Sequence, residues 1–310
     1  MIKKYFSGVK ILKLKNNFKK YFNAIFRWVI LLGIAYMILL PVITKLFASF
    51  MTPQDLMDQS IRWIPRSFSL ENFRILFVEF DYFQALANTF ILALTVSIMQ
   101  VMSSILIGYG LARFKFRGSS IIFAMVILTL IVPPYMMMVP IYLDFRFFNI
   151  FGLIPGGGFN LLNSFWPLIL TSITGTGMRN GLFIFVMRQF FKGLPHHLEE
   201  AAYVDGAGFL KTFYQIMLPG AAPAAVIVFL FSFVWMWSDD VLIRLFLSNG
   251  SRYAPLFLRN FWSFAWNLDP LVYSLVANAG MLLFILPLLF IYMFMQKFFV
   301  ESIERTGIVG

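Results

Sequence analysis

Apolar and polar positions along this chain come in blocks rather than in alternation. Runs of about 20 apolar residues recur, the length a helix needs to cross a bilayer, and short polar stretches separate them. Six spans are predicted, at about 28–48, 84–112, 119–143, 165–190, 221–243 and 273–297. Pro133-Pro134 interrupts the third and Pro287 lies inside the sixth. Proline at such depth is tolerated where neighbouring groups take up the freed backbone, so a packed bundle is expected rather than isolated anchors. The pattern predicts one all-α integral membrane domain over 28–297, with an N-terminal arm at 1–27 and a tail at 298–310.

Composition agrees with the blocks. The 310 residues are 60% hydrophobic and only 13% charged, and the mean hydropathy of +0.80 excludes a soluble domain. Eight Lys/Arg and no acid fall in residues 1–27, and the apolar run that follows is too long for a cleavable signal peptide. Such an arm reads as a topology signal attracted to anionic lipid, since no nucleic-acid-binding motif accompanies it. With an N-terminus inside, the inner segments hold 16 of the 25 Lys/Arg and the outer ones 8. The excess of positive charge inside predicts that both termini of this multi-pass protein face the cytoplasm. The chain has no cysteine, so disulfides and thiolate chemistry are excluded. A Gly-rich stretch at 154–160 marks a turn after the third span, and aromatic outer segments run over Trp63-Ile64-Pro65 and Phe257 to Trp266.

One polar island breaks the greasy pattern. Glu199, Glu200, Asp205 and Lys211 cluster in the loop 191–220, between spans four and five. Ala201, Ala202 and Val204 give a first helix from about Leu198 a small-residue face, and Asp205-Gly206 is expected to break it. Phe209, Phe213, Ile216 and Met217 recur at helical spacing in a second helix, which Leu218-Pro219 is expected to end. A bent knob of this kind suits insertion into a partner's groove, although an amphipathic helix lying on the membrane would share the spacing.

Glu200-Ala201-Ala202, three residues, Gly206, nine residues, Ile216, Met217 and Leu218-Pro219 resemble the EAA motif of permease subunits of binding-protein-dependent ABC importers. Trp63-Ile64-Pro65, Leu70-Glu71-Asn72-Phe73, Ala87-Asn88-Thr89, Gly108 to Phe114 and Met187-Arg188-Gln189-Phe190-Phe191 are similar to the carbohydrate branch of that family, maltose type. The ending from Gln296 to Gly310 resembles the tail of that branch's second permease. Two departures are the stretch 154–160 and Trp235-Met236-Trp237-Ser238-Asp239-Asp240, where the family more often has Trp-Asn-Asp. The resemblance implies the type I importer fold of six transmembrane helices, in a bacterial plasma membrane. It also implies a cytoplasmic coupling helix docking on a separate ATPase, with Glu200 as polar contact, Gly206 as turn, Ala201 and Ala202 as close packing, and Asp205, Ala207, Ile216, Leu218 and Pro219 completing the motif. Implied partners are a second permease, two ATP-binding subunits, an extracytoplasmic solute-binding protein and a carbohydrate. No cofactor is expected on this chain, because ATP and magnesium would sit on the ATPase.

An ionisable group at mid-span is costly and marks a candidate path. Arg179, with Thr176 and Asn180 beside the Gly175-Thr176-Gly177 break, is expected to line one; alternatively Arg179 pairs with a partner's acid or starts a helix. Trp235, Trp237 and Asp239 are candidates for sugar stacking and hydroxyl binding, with an interfacial aromatic belt as the plainer role. Asn278 could line the path or serve as interhelical glue. No phosphate loop of the Gly-x4-Gly-Lys-[Ser/Thr] type is present, so ATP must be hydrolysed elsewhere. A stand-alone secondary transporter or channel for a polar solute is the alternative, and it would carry acidic sites deep in the spans.

Overall fold

The computed structural model describes residues 2–150, 152–154, 158–247, 252–265 and 267–307, with side chains described between Lys19 and Lys297 except at 134, 262 and 264. Gly156, Gly157, Trp266 and the last three residues therefore lie outside the described residues, as do the side chains of the arm up to 18. The described residues are helical almost throughout, as an apolar chain in lipid requires, because each helix satisfies its own backbone.

The chain divides into two units, Met1–Leu76 with Leu268–Leu282, and Phe77–Asn267 with Leu283–Gly310. The first contains α1 (Ile2–Ser49), α2 (Pro53–Met57), α3 (Glu71–Val78) up to Leu76, and the opening of the last helix. Helix α1 runs without a break through the predicted arm and the first predicted span. Asn72, buried, closes the return by donating to the carbonyls of Ser49 (3.0 Å) and Met51 (2.9 Å). Thr52 and Asp55 form a reciprocal capping box that starts α2.

The second unit is built on α4 (Tyr82–Arg113), followed by α5 (Ser119–Ile131), α6 (Pro134–Arg146), α7 (Trp166–Ile173) and α8 (Asn180–Gly193). Next come α9 (His197–Val204), α10 (Phe209–Thr212), a π-helical turn (Phe213–Met217), α11 (Leu218–Gly220) and α12 (Ala222–Trp237). Then follow α13 (Val241–Phe246), α14 (Ala254–Arg259), α15 (Phe261–Phe264) and α16 (Pro270–Gly307), whose later part belongs here. Helix α4 packs on α8, α12 and α7. It meets α8 at Gly108, where a Cβ would lie 2.7 Å from the Cβ of Met187, so only glycine permits the approach.

Three helices among the described residues are long and apolar enough to cross a membrane alone: Lys19–Ser49, Tyr82–Arg113 and Pro270–Lys297. Two bent pairs bring the number to five. The third predicted span is such a pair, turned by 110° at the two prolines, because neither supplies an amide hydrogen to carry the ladder on. The predicted fourth span, 165–190, is not one helix. It forms α7 and α8, of 8 and 14 residues, separated where Gly175 takes φ +72°. At about 1.5 Å per residue neither reaches across the ~30 Å core by itself.

Candidate functional site

The polar island folds as a helix, a tight turn and a second helix. Gly206 adopts φ +78°, and Ala207 N–H reaches back to the Ala202 carbonyl (2.9 Å) while Gly206 N–H reaches Tyr203 (3.0 Å). These two bonds form the Schellman stop for α9. Nothing lies within 4 Å of a Cβ built at Gly206, so the glycine is required by backbone angle and not by space.

Consecutive residues of a helix point about 100° apart, and this separates the two adjacent acids. Glu200 faces solvent, whereas Glu199 is buried. Glu199 accepts from the Tyr109 hydroxyl (2.8 Å) and pairs with Arg113 Nε at 3.2 Å, both residues lying in the last turns of α4. Arg113 also donates to the Leu194 carbonyl (2.7 Å) and lies 2.8 Å from His196 Nδ1. Around Tyr109 stand the rings of Phe114, Phe191, Phe209 and Phe213, with centroids 4.8 to 5.9 Å away. The island is thus clamped by one carboxylate. Beyond the clamp, its tip exposes Val204 (87%), Leu210 (64%) and Tyr214 (60%), with Glu200, Asp205 and Lys211 around them.

Of the predicted coupling residues, Glu200, Ala201, Asp205, Gly206 and Pro219 are exposed, Ala207, Ile216 and Leu218 are half-buried, and only Ala202 packs inward. Pro219 does not end the second helix, contrary to expectation. The chain stays helical to Gly220, and the axis then turns by 68° into α12. The π turn before it, in which Leu218 N–H bonds the Phe213 carbonyl, puts Pro219 in the opening turn of a new segment, where a missing amide hydrogen matters little. The sequence placed Glu199 in the island and Tyr109 and Arg113 in the Gly108–Phe114 stretch, but gave none of them a site role. A signal was available, since Glu199 and Ala202 sit three apart and share one helical face.

A second polar constellation lies mid-chain. At the α7–α8 break Thr176 and Gly177 both donate to the Thr171 carbonyl (2.9 Å each), which sets Arg179 immediately before α8. Its guanidinium lies 5.1 Å over the Trp235 ring and 3.2 Å from Asp239. The acid is on this chain and not on a partner, and Asp239 also accepts the amides of Val241 (3.1 Å) and Leu242 (2.8 Å). Thr176, Arg179 and Trp235 line a recess of about 40 Å³ together with Gln100 and Ser232. That space holds about one to three waters and no sugar ring.

Asn180 is not in the recess wall. It is fully buried and forms a relay in which Gln100 donates to Asn180 (3.0 Å), Asn180 to Ser103 (3.2 Å) and Ser103 to the Ser172 carbonyl (2.7 Å). Trp237 is neither a sugar platform nor a belt residue. It is fully buried against Phe233 and Phe284 and donates to the Phe284 carbonyl (3.1 Å). Asn278 belongs to the other unit and accepts from Lys45 Nζ at 2.7 Å.

Residues 104–305 match the family described as the inner membrane component of binding-protein-dependent transport systems. The chain belongs to that family. A probable ABC transporter permease of Pyrococcus horikoshii is 30% identical to it over 90% of this chain and 93% of its own. The maltodextrin transport system permease of Bacillus subtilis is 30% identical over 79% and 82%. The crystal structure of a bacterial ABC transporter that imports the acidic polysaccharide alginate shares the fold, with a TM-score of 0.72 and 20% identity over 87% of this chain and 94% of that one. The permease is therefore a membrane translocation subunit and not an enzyme, and its helices have the type I importer arrangement. The matched region includes the clamped island and, of the recess residues named, all but Gln100.

Proposed function

We propose that this permease carries a saccharide across the membrane by alternating access, driven through the island His197–Gly220 by a separate ATPase. The observation that carries the reading is the island's division of labour. An apolar tip rimmed by charge is left uncovered, while its base is locked to α4 by a buried carboxylate. A rigid projection of that shape passes on the movement of whatever seats it, as a soft loop would not.

Six spans complete this reading, with α7 and α8 together serving as the fourth and both termini in the cytoplasm, so that the island meets the ATPase there. ATP and magnesium stay on two copies of that ATPase. A second permease supplies the other half of the path, and a solute-binding protein delivers cargo from outside. The relatives named for maltodextrin and alginate support an oligosaccharide as cargo. Thr176, Arg179 and Trp235 meet it when the recess widens, with Asp239 holding the arginine between passages.

Purification with the ATPase and the second permease, followed by reconstitution in liposomes, tests this. ATP-dependent accumulation of maltodextrin, arabino-oligosaccharide or alginate oligosaccharide is expected, together with ATP hydrolysis stimulated by the loaded binding protein. Uptake driven by an ion gradient without ATP would sink the reading. Gly206→Ala should impair ATPase binding, since an alanine at φ +78° costs about 1–2 kcal/mol.

A further inference from the structure

The two acids that open the coupling island do different jobs, one facing solvent and the other buried against α4. We infer that the Glu199–Arg113–Tyr109 cluster is the positioning element that transmits island movement into α4, so that it sets the coupling between ATP hydrolysis and transport. This deepens the ATPase-coupling reading above and rests on it.

The geometry supports a transmission role for three reasons. Glu199 lies one residue before the outward-facing Glu200, so a push on the tip reaches the carboxylate through less than one turn of α9. Oε1 accepts from the Tyr109 hydroxyl, and Oε2 lies 3.2 Å from Arg113 Nε as an ion pair, so a hydrogen bond holds one oxygen and charge attraction the other. Arg113 then ties in the chain on the other side of the α8–α9 turn through the Leu194 carbonyl. The island is therefore held at its entry and at its first turn by a single guanidinium, whose side chain is 4% exposed against 10% for Glu199.

The far end of the link is also stiff. Tyr109 and Arg113 lie four apart on one face of α4, the helix on which the polar relay begins at Gln100 and Ser103. Helix α4 crosses α8 at Gly108 with backbone nearly in contact, so displacement at Tyr109 moves helix against helix instead of being absorbed by side chains. Aromatic packing of Phe209 and Phe213 on Tyr109 brings the second island helix onto the same post. The two island helices thus converge on Tyr109 from different sides. The tip residues Val204, Leu210 and Tyr214, by contrast, are largely exposed.

The test uses the full importer in liposomes and reads sugar transported per ATP hydrolysed. Glu199→Gln keeps the shape and one acceptor but loses the charge that holds Arg113; Tyr109→Phe removes only the hydroxyl. Stranding the buried Arg113 guanidinium should lower the yield of Glu199→Gln complexes, while Tyr109→Phe assembles near wild type. In the assembled complexes of both, ATP hydrolysis should stay near wild type, while transport per ATP falls by about 10- to 100-fold for Glu199→Gln and less for Tyr109→Phe. A merely structural clamp would leave the ratio in surviving complexes unchanged however far assembly falls, and that result overturns the inference. An unchanged ratio with normal assembly overturns it equally. Failure of the wild-type chain to bind any ATPase would defeat the coupling reading itself, and it would appear before either variant is made.

Discussion

Two arginine–carboxylate pairs in this permease have the same separation, 3.2 Å, and different surroundings. Arg113 and Glu199 are both shut away from solvent, and each has further partners within the protein. Arg179 is 41% exposed and faces Trp235 across a recess, while Asp239 is 6% exposed and held by two backbone amides. Distance alone would rank them equal. Solvent access decides otherwise, since a desolvated pair is costly to break from one side whereas a pair with one wet end exchanges partners readily. The first pair suits a permanent joint, and the second suits a contact that a passing hydroxyl or carboxylate replaces.

The comparison breaks most sharply at Arg113. Arg113→Ala strands a buried carboxylate, and the expected loss is about 3–5 kcal/mol of stability. It would be read as a large fall in the thermal midpoint of the detergent-solubilised protein; a shift no larger than that of a surface variant would refute the desolvated pair. Arg179→Ala should cost about 1 kcal/mol at most, because its guanidinium is half in solvent, yet it should lower sugar uptake at normal expression. Normal uptake in that variant removes Arg179 from the path. The smallest effect concerns salt. Raising ionic strength from about 0.1 to 1 M shortens the screening length from about 10 to 3 Å, which should weaken the Arg179 pair and leave the Arg113 pair unmoved. Thermal midpoints of the two alanine variants against wild type at both salt concentrations would check it.

Helices that depend on composition were readable from the sequence. The span predicted at 84–112 is observed as Tyr82–Arg113, because a long apolar run in lipid has one way to satisfy its backbone. The interruption at Pro133-Pro134 was readable too, though not its 110° turn, which depends on what packs against each half. The island's first helix, expected from about Leu198 and observed from His197, and its stop at Gly206 followed from local chemistry. What was not readable depends on phase or depth. A motif does not say which of two adjacent acids points inward until the neighbour at Arg113 is in place. Trp237 resembled an interfacial residue because a tryptophan near a span end has the same composition whichever way it faces; Phe233 and Phe284 decide that. Pro219 misled because the rule that proline ends a helix assumes an unbroken α register, and the π turn resets it.

That π turn has a consequence of its own. Phe213–Met217 spends one more residue per hydrogen-bonded ring than an α turn does. Removing a single residue there would leave the stretch helical while rotating everything before it by about 100° relative to everything after it. Leu210 would then face a different compass point from the one it faces now, with no bond to α12 broken. In this stretch chain length sets heading. The extra residue works like an index mark on a dial, fixing the bearing at which the island leaves the membrane domain.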